Sequence, residues 1–281
     1  MVAKKAVILV TGGAGSLGRE IVRELILATG YTIRVLDNSE YALYELQRFL
    51  ENKEWDASGV RYFQGDIRDK DRLRRAMVGV SSVIHTAALK HVPNCEFNPV
   101  EAVRTNIDGS INVIEVALDS GVDKVLAISS DKAVHPINIY GATKLAMEKL
   151  VTHSNVYGDT KFSCVRFGNF LESRGNVVRR WYKEAQEGKP LTITEKEMTR
   201  FWIHPGEAAQ FTLKCLDIME GGEIFIPKMD EASIMEMAQR VSPDCEVKVI
   251  GKRPGEKLHE LLSAEGEVLL DKDNYFVVEC K

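Results

Sequence analysis

The 281-residue sequence lacks the features that identify several classes of protein. Its five cysteines are scattered and form no CxxC pair, which indicates reduced thiols and not a disulfide framework or a zinc site. The six histidines show no metal-ligand spacing either, so we predict no metal. A net charge of -4 and a pI near 6.0 supply no basic excess for a nucleic-acid or polybasic membrane partner. Because we find no signal peptide and no membrane-length apolar run, we expect a cytoplasmic protein.

Short apolar segments alternate with helical patterns through the first half of the chain. Residues 6–11 (AVILVT) predict a buried strand, and residues 16–28 place their apolar side chains on one helical stripe. Residues 32–37 and 39–51 repeat the pair, and further strands are predicted at YFQGD, SVIHTAA and KVLAISS. This alternation is typical of an α/β fold, a Rossmann-type doubly wound parallel sheet with helices on both faces.

The composition changes at about residue 166. Glycine and proline become frequent, and the apolar runs shorten to LTIT, EIFIP and EVKVIG. We therefore predict a dinucleotide-binding Rossmann domain over residues 1–165. Residues 166–281 are expected to form a smaller α+β substrate-binding part, packed against the carboxyl edge of the sheet.

A glycine-rich turn separates the first predicted strand from the first helix. In TGGAGSLG, Gly12 permits the tight turn, Gly15 permits close approach to a pyrophosphate, and Gly18 permits close packing of the helix. Ser16 and Leu17 open the helix, whose positive N-terminus would face the phosphates. A glycine-rich turn is often only a turn, but the strand before it and the helix after it predict an NAD(P) site.

Two carboxylates follow later strands at places where a dinucleotide could meet them. Asp37 ends the second strand and could accept hydrogen bonds from ribose hydroxyls, which favours NAD over NADP. The alternative for Asp37 is a solvated strand end. Asp66 could accept from the adenine amino group, or it could cap the helix expected over residues 69–77. We also assign Ile67 and Ala87 to the cofactor site.

Tyr140 and Lys144 are four residues apart at the start of a predicted helix, so they share one face. A free tyrosine has a pKa of about 10, and a nearby ammonium together with a cationic nicotinamide would lower that pKa. Lys144 could also hold the nicotinamide ribose. Ser130, at the end of a strand, could share a hydrogen bond with a substrate hydroxyl. A YxxxK pattern alone is common on helices, but its place after the glycine-rich turn predicts a catalytic group.

The motifs together resemble the extended short-chain dehydrogenase/reductases. Within that family, the segments SSDKA and PxNxYGATK are similar to the UDP-N-acetylglucosamine 4,6-dehydratases, the soluble C5-inverting type of the pseudaminic-acid pathway, among the polysaccharide biosynthesis proteins. Further matching segments are AALK with VP at 92–93, SRG at 173–175, MTRFWI at 198–203, GGEIFIPK at 221–228 and RPGEKLHE at 253–260. The segment after Asp37 instead resembles the membrane-bound, C5-retaining relatives, whereas Tyr140 favours inversion.

The resemblance implies roles for the adjacent pair Asp131 and Lys132. After Tyr140 has taken the C4 hydroxyl proton during oxidation, Lys132 would remove the C5 proton and Asp131 would protonate the C6 hydroxyl, which leaves as water. Side by side in water the two would be ammonium and carboxylate, so burial must raise the pKa of the acid and lower that of the amine. The alternative is a surface Asp-Lys pair in a turn.

A UDP-sugar also requires contacts to its diphosphate and sugar. Guanidinium groups suit a pyrophosphate, and Arg253 is the first candidate, ahead of Arg174 and Arg200. Lys90 and Asn169 could reach the sugar or a phosphate. Glu256, in the segment that carries Arg253, completes the predicted substrate residues, and Asn106 resembles the asparagine that supports the family's active site. Each could instead be a solvated or salt-bridged group or, for Asn106, an ordinary helix position.

Two other functions remain compatible with these motifs. A nucleotide-sugar 4-epimerase or reductase would use the same scaffold, although an epimerase has no elimination step that needs Asp131 and Lys132. A non-catalytic dinucleotide sensor would have little use for four catalytic residues. The family further implies a homo-oligomer.

Overall fold

The computed structural model describes residues 6–51, 55–173 and 175–279. Its strands are β1 Ala6–Thr11, β2 Tyr31–Asp37, β3 Val60–Gln64, β4 Ser82–His85, β5 Lys124–Ser130, β6 Lys161–Phe167, β7 Asn169–Phe170, β8 Leu191–Ile193, β9 Thr199–Ile203, β10 Glu223–Pro227, β11 Asp230–Ser233, β12 Val247–Val249, β13 Leu269–Lys272 and β14 Tyr275–Glu279. Its α-helices are α1 Ser16–Ala28, α2 Glu40–Glu51, α3 Lys70–Met77, α4 Val92–Phe97, α5 Pro99–Val103, α6 Gly109–Asp119, α7 Ile139–His153, α8 Val177–Gln186, α9 Pro205–Ile218 and α10 Ile234–Val241.

The main sheet has the order β13-β14-β10-β6-β5-β4-β1-β2-β3. The strands from β3 to β10 in this order pair in parallel, and β14 and β13 add an antiparallel edge. The chain order reverses at β1, which pairs with both β2 and β4. Ligands of open α/β sheets bind at the carboxyl ends of the strands beside such a reversal.

Apolar strands explain why both faces of the sheet are covered. One face buries Ile8, Val10 and Val35 together with the apolar stripe of α1. The opposite face buries Leu9 and Leu36 against side chains of α3, α6 and α7. Side chains that alternate along a strand point to opposite faces, so a continuous apolar run serves both layers. The predicted α/β doubly wound sheet is confirmed.

A smaller core lies in the C-terminal half, around the fully buried Trp181 of α8. β8 pairs with β12, and β9 lies between β7 and β11, so these strands form two small sheets of their own. The segment EIFIP does not belong to them. As β10 it joins the main sheet beside β6, because its three central side chains are apolar and buried, which suits an interior parallel strand. The domain boundary at residue 165 stays a prediction.

None of the helices in the described ranges combines the length and the apolar character that a membrane span requires.

Candidate active site

A cleft of about 610 Å³ opens at the carboxyl ends of the parallel strands. It brings together residues that the sequence places far apart. The predicted cofactor residues that line it are Gly12, Gly15, Ser16, Leu17, Gly18, Asp37, Asp66, Ile67, Ala87 and Lys144. Ser130, Lys132, Tyr140, Lys90, Asn169, Arg253 and Glu256 line the same cleft. The cleft therefore joins the glycine-rich turn, the helix that carries Tyr140 and the segment that carries Arg253.

The glycine-rich turn is packed so tightly that side chains would not fit. Gly12 has a φ of +65°, and a Cβ there would lie 2.7 Å from backbone atoms of Ala87. A Cβ on Gly18 would lie 2.4 Å from the carbonyl oxygen of Gly12, so α1 approaches the turn itself. Gly15 is the N-cap of α1 and donates its N–H to Gly12 over 2.9 Å. The positive end of α1 thus stands at the cleft, a suitable place for a pyrophosphate.

Asp37 and Asp66 both stand at the cleft, but their partners differ. Asp37 accepts hydrogen bonds from the backbone N–H of Ala14 (3.2 Å) and Ser39 (3.0 Å), so it also braces the glycine-rich turn. Asp66 accepts hydrogen bonds from the Arg68 guanidinium, the shortest of them 2.7 Å long. Burial alone would raise the pKa of Asp66, but Arg68 holds that pKa below its usual value.

The helix-capping alternative for Asp66 is wrong, because a different carboxylate caps α3. Asp69 is the N-cap, and its side chain accepts a hydrogen bond from the N–H of Arg72 over 2.9 Å. Capping residues accept from the second or third N–H of the helix, which Asp66 is too early in the chain to reach.

Helix α7 presents Tyr140 and Lys144 to the cleft. Asn138 caps the helix by accepting the N–H of Gly141 over 2.7 Å. The Tyr140 hydroxyl is buried and hydrogen-bonded to Ser130, at the end of β5. The Lys144 amine donates to the carbonyl oxygen of Ile128 over 2.6 Å, and burial lowers its pKa to about 8.

The expected lowering of the Tyr140 pKa is not what this structure gives. Burial raises that pKa, the hydrogen bond with Ser130 lowers it in part, and negative charge on Asp131 and Glu260 raises it further. The buried phenol is therefore held neutral by the protein's own groups. Positive charge supplied by a bound cofactor would favour the tyrosinate.

Asp131 and Lys132 form a direct ion pair just past β5. The Nζ of Lys132 lies 3.0 Å from Oδ1 of Asp131, 3.0 Å from Oδ1 of Asn169 and 3.5 Å from Oε1 of Glu260. Burial lowers the pKa of Lys132, but the two carboxylates outweigh it, and the net pKa lies above the usual lysine value. The expectation of a depressed Lys132 pKa is thus wrong for the protein's own groups, because the charge of Asp131, with a further contribution from Glu260, outweighs burial.

The Asp131 side chain is fully buried behind Ser130 and Lys132 and does not appear among the residues that line the cleft. Its Oδ1 also accepts a hydrogen bond from the Ser130 hydroxyl over 2.8 Å. Its Oδ2 has no hydrogen-bond partner among the described residues, and neither does the buried hydroxyl of Ser129. A buried carboxylate oxygen without a partner is expensive, which is typical of functional sites. The surface-turn alternative for this pair is wrong.

The candidates for substrate contacts divide into three groups. Lys90, Asn169, Arg253 and Glu256 line the cleft, and the backbone N–H of Arg253 donates to Glu256 over 3.1 Å. Arg174 lies outside the described residues. Arg200 is buried away from the cleft.

Arg200 has a structural task where it lies. Its guanidinium donates to the carbonyl oxygens of Thr199 (2.6 Å), Leu258 (3.1 Å) and Lys257 (3.0 Å). Three charge-assisted hydrogen bonds engage most of its donors, so Arg200 holds the RPGEKLHE segment against β9 instead of offering a fork to a phosphate.

Asn106 supports the loop that carries Lys90. Its side-chain oxygen accepts the N–H of Leu89 over 2.8 Å, and its amide group donates to the carbonyl of Leu89 over 2.9 Å. It lies in a π-helical turn, Arg104–Asp108, and such turns often occur at functional sites. This brace agrees with the expected supporting role and not with an ordinary helix position.

The sequence does not predict the roles of two further residues, Glu260 and His85. Glu260 is part of the RPGEKLHE segment, but nothing in its spacing shows that it reaches Lys132 from more than a hundred residues away. His85 is buried at the end of β4, where its ring contacts the hydroxyls of Thr11 (2.7 Å) and Ser110 (3.0 Å). Ser110 in turn donates to the carbonyl of Asn106, so this chain links the glycine-rich strand to the Asn106 brace.

Known proteins resemble the chain over almost its whole length. It is 47% identical to an uncharacterised membrane protein of Methanocaldococcus jannaschii, over 98% of this chain and 86% of that protein. It is 43% identical to the inverting UDP-N-acetylglucosamine 4,6-dehydratase of Campylobacter jejuni, over 96% and 82%. It is 35% identical to a UDP-glucose 4-epimerase of Rickettsia bellii, over 96% and 81%.

Solved structures agree with the fold. Pen from Bacillus thuringiensis superimposes with a TM-score of 0.92 at 36% identity, over 99% of this chain and 89% of that one. The Thermus thermophilus UDP-glucose 4-epimerase, solved with NAD, gives a TM-score of 0.79 at 26% identity, over 92% and 90%. The family model for the polysaccharide biosynthesis proteins matches residues 8–279. With a Rossmann sheet, a tyrosine-lysine helix and these relatives, the chain belongs to the polysaccharide biosynthesis protein family.

Proposed function

We propose that this protein dehydrates UDP-N-acetylglucosamine to a UDP-4-keto-6-deoxy-N-acetylhexosamine, with inversion at C5. The observation that supports this most is the Asp131–Lys132 ion pair, in which Lys132 lines the same cleft as Tyr140 and Asp131 is buried directly against Lys132. An elimination needs an acid and a base in addition to the group that assists oxidation, and the three side chains supply that set. The Campylobacter jejuni relative is an inverting UDP-N-acetylglucosamine 4,6-dehydratase, which supports the same assignment.

The residues around the glycine-rich turn fit a nicotinamide dinucleotide. A Cβ would fill the space at Gly12 and Gly18, and the N-terminus of α1 faces that space. Asp37 stands where ribose hydroxyls would need acceptors. Bound there, the cofactor supplies reversible two-electron oxidation, so that the sugar can be oxidised at C4 and reduced again at C6.

Tyr140 is suited to take the C4 hydroxyl proton. Its hydroxyl is hydrogen-bonded to Ser130, whose own hydroxyl donates to Oδ1 of Asp131 over 2.8 Å, so Tyr140 is connected to the Asp131–Lys132 pair. Lys144, with a pKa of about 8, lies one helical turn further along α7 and carries its charge at neutral pH. The ketone formed at C4 acidifies the C5 proton and prepares the elimination.

Asp131 and Lys132 then act as a pair. In the resting ion pair the acid is ionised and the base is protonated, which are the wrong states for elimination. One proton moved from Lys132 to Asp131 along their 3.0 Å hydrogen bond corrects both at once. The Lys132 amine then removes the C5 proton, the Asp131 carboxyl protonates the departing C6 hydroxyl, and the pair returns to its resting ionisation.

The substrate end of the cleft suits a diphosphate sugar. Arg253 offers a guanidinium at the rim, with 44% of its side chain exposed, and its only ion-pair partner, within the ranges described, is Glu256 at 3.9 Å. Lys90 lies 3.5 Å from the Ser173 hydroxyl on the neighbouring loop. We assign Arg253 to the pyrophosphate, Lys90 and Asn169 to the sugar side, and Glu256 to the orientation of Arg253.

Three further parts of the proposal concern the choice of cofactor, the product and the protein's surroundings. Asp37 would repel a 2′-phosphate, which supports NAD over NADP. Inversion at C5 would make the product a precursor of the pseudaminic-acid type, as the resemblance implies. A homo-oligomer and a cytoplasmic location stay predictions, and one relative is described as a membrane protein.

Turnover of UDP-N-acetylglucosamine by the purified protein, followed by mass spectrometry, tests the proposal. We expect a product lighter by one water molecule, with no net consumption of cofactor. A product of unchanged mass would indicate the 4-epimerase alternative instead, and an untouched substrate with NAD bound would indicate a non-catalytic dinucleotide sensor.

A further inference from the structure

Glu260 connects the C-terminal segment to the predicted base. It is 4% exposed, and it comes from the segment that also carries Arg253 and Glu256. Its Oε1 lies 3.5 Å from Nζ of Lys132, and its Oε2 lies 3.1 Å from Nζ of Lys257. The carboxylate therefore stands between two ammonium groups, only one of which faces the cleft.

The other groups around Lys132 come from three further elements. Asp131 follows β5, and Asn169 begins β7; each places an oxygen 3.0 Å from the amine. Arg200, on β9, adds positive charge from its buried position. The negative charges of Asp131 and Glu260 both raise the pKa of Tyr140, on α7. The amine thus lies among two carboxylates, one amide oxygen and one guanidinium, and the same two carboxylates act on the Tyr140 phenol.

We propose that Glu260 is a positioning residue that fixes the Lys132 amine between Asp131 and Asn169 and sets the pH at which Lys132 loses its proton. This inference rests on the proposed dehydration, in which that proton must leave before elimination. Lys257 tunes the effect, because its ammonium offsets part of the negative charge that Glu260 directs at Lys132.

The arrangement gives effects of opposite sign for two neighbouring changes. A carboxylate in a buried site stabilises a nearby ammonium, so the loss of the Glu260 charge lowers the pKa of Lys132. The loss of the Lys257 charge leaves the negative charge of Glu260 uncompensated, so it raises the pKa of Lys132. General damage to the site would shift both variants in the same direction.

Titration of Lys132 by NMR tests this without any substrate. The protein is labelled with ¹³Cε-lysine, and the Lys132 resonance is assigned by its loss in Lys132→Met. Glu260→Gln should lower the Lys132 pKa by at least about half a unit, Lys257→Met should raise it, and Glu260→Asp should restore most of the wild-type value. Glu265→Gln, at an exposed carboxylate five residues further along the chain, is the matched control and should leave the Lys132 pKa unchanged.

A second measurement, the pH profile of the reaction, connects the titration of Lys132 to catalysis. Elimination requires the Asp131–Lys132 pair to hold one proton, so the alkaline limb of the pH profile for dehydration should move with the Lys132 pKa in each variant. An unmoved Lys132 pKa in folded Glu260→Gln, or an alkaline limb that stays in place while the Lys132 pKa shifts, would overturn the inference. If wild-type protein left UDP-N-acetylglucosamine unchanged while the NMR shifts still occurred, the proposed dehydration would fail and the electrostatic role of Glu260 would stand.

Discussion

Asp131 Oδ1 and Lys132 Nζ lie 3.0 Å apart, and the other oxygen of Asp131 is buried without a hydrogen-bond partner within the described ranges. Neutralising the pair by one internal proton transfer removes that buried negative charge. The geometry thus joins the acid and the base of an elimination in a single pair.

Removal of the base should separate elimination from oxidation. Lys132→Met should slow deuterium exchange at C5 by roughly 10²–10⁴-fold, the usual contribution of a positioned base. Oxidation at C4 does not use Lys132, so reduced cofactor should still form when substrate is added, as its absorbance would report. Lys196→Met, at an exposed position, is the control and should behave like the wild type. Equal loss of both steps would argue against a role confined to C5.

Asp37 should determine the choice between NAD and NADP. Asp37→Asn removes the charge that would repel a 2′-phosphate, so we expect the ratio of the two dissociation constants to move towards NADP by about tenfold. Asp66→Asn is the contrasting variant, because Asp66 is paired with Arg68 and should affect both cofactors equally. Calorimetric titration with each dinucleotide measures the ratio. An unchanged ratio in Asp37→Asn would contradict the assignment.

A single methyl group should disturb the cofactor turn. In Gly18→Ala the new Cβ would lie 2.4 Å from a backbone oxygen, which cannot move aside without a shift of the turn. We expect at least tenfold weaker dinucleotide binding and a lower melting temperature. Gly206→Ala, where the Cβ meets only the end of the Arg23 side chain at 3.3 Å, is the control. Normal binding by Gly18→Ala would place the dinucleotide elsewhere.

Arg253 should act on substrate binding more than on chemistry. Arg253→Gln removes the guanidinium assigned to the diphosphate, so we expect KM to rise by about tenfold or more with a smaller change in kcat. Inhibition by UDP should weaken in parallel. Arg240→Gln, exposed on α10, serves as the control and should leave both values unchanged. A loss of kcat alone would move Arg253 from the diphosphate to the reacting sugar.

Buried His85 should make the fold sensitive to acid. Burial, with a smaller contribution from Lys144, lowers its pKa to about 3 from the usual 6.5. The unfolded chain therefore binds the extra proton first, and the free energy of unfolding falls as the pH drops from 6.5 to 3, by on the order of 4–5 kcal/mol at most.

Urea unfolding at several pH values measures this effect. His85→Gln keeps groups that can bond to Thr11 and Ser110 but cannot titrate, so its stability should fall less steeply below pH 6.5. The exposed His153→Gln should keep the wild-type slope. Parallel curves for His85→Gln and the wild type would contradict the low pKa of His85.

The sequence was sufficient where periodicity and local motifs decide the structure. The strand Ala6–Thr11 and the helix Ser16–Ala28 have the predicted bounds, because an apolar run that stops at glycines and a 3.6-residue stripe are local signals. Tyr140 and Lys144 share a helix face for the same reason. The glycine-rich turn, read from spacing alone, lies at the cleft with Asp37 beside it.

What the sequence could not supply depends on contacts between distant segments. Glu260 lies beside Lys132 in a segment whose Lys257 and Leu258 carbonyls are held by Arg200, and its charge adds to that of Asp131 in raising the Lys132 pKa. The sequence predicts a phosphate ligand at Arg200, because an arginine in a motif does not reveal where its guanidinium lies. The place of β10 in the main sheet was likewise decided by its partner, β6.

Incubation of the wild-type protein with UDP-N-acetylglucosamine in deuterated water, followed by NMR of the product, tests the central claim most directly. We predict a 4-keto-6-deoxy sugar with deuterium at an inverted C5 and no net change in the reduced cofactor. A product that retains its original C5 proton would contradict the assignment of Asp131 and Lys132 as the eliminating pair, whatever the fold.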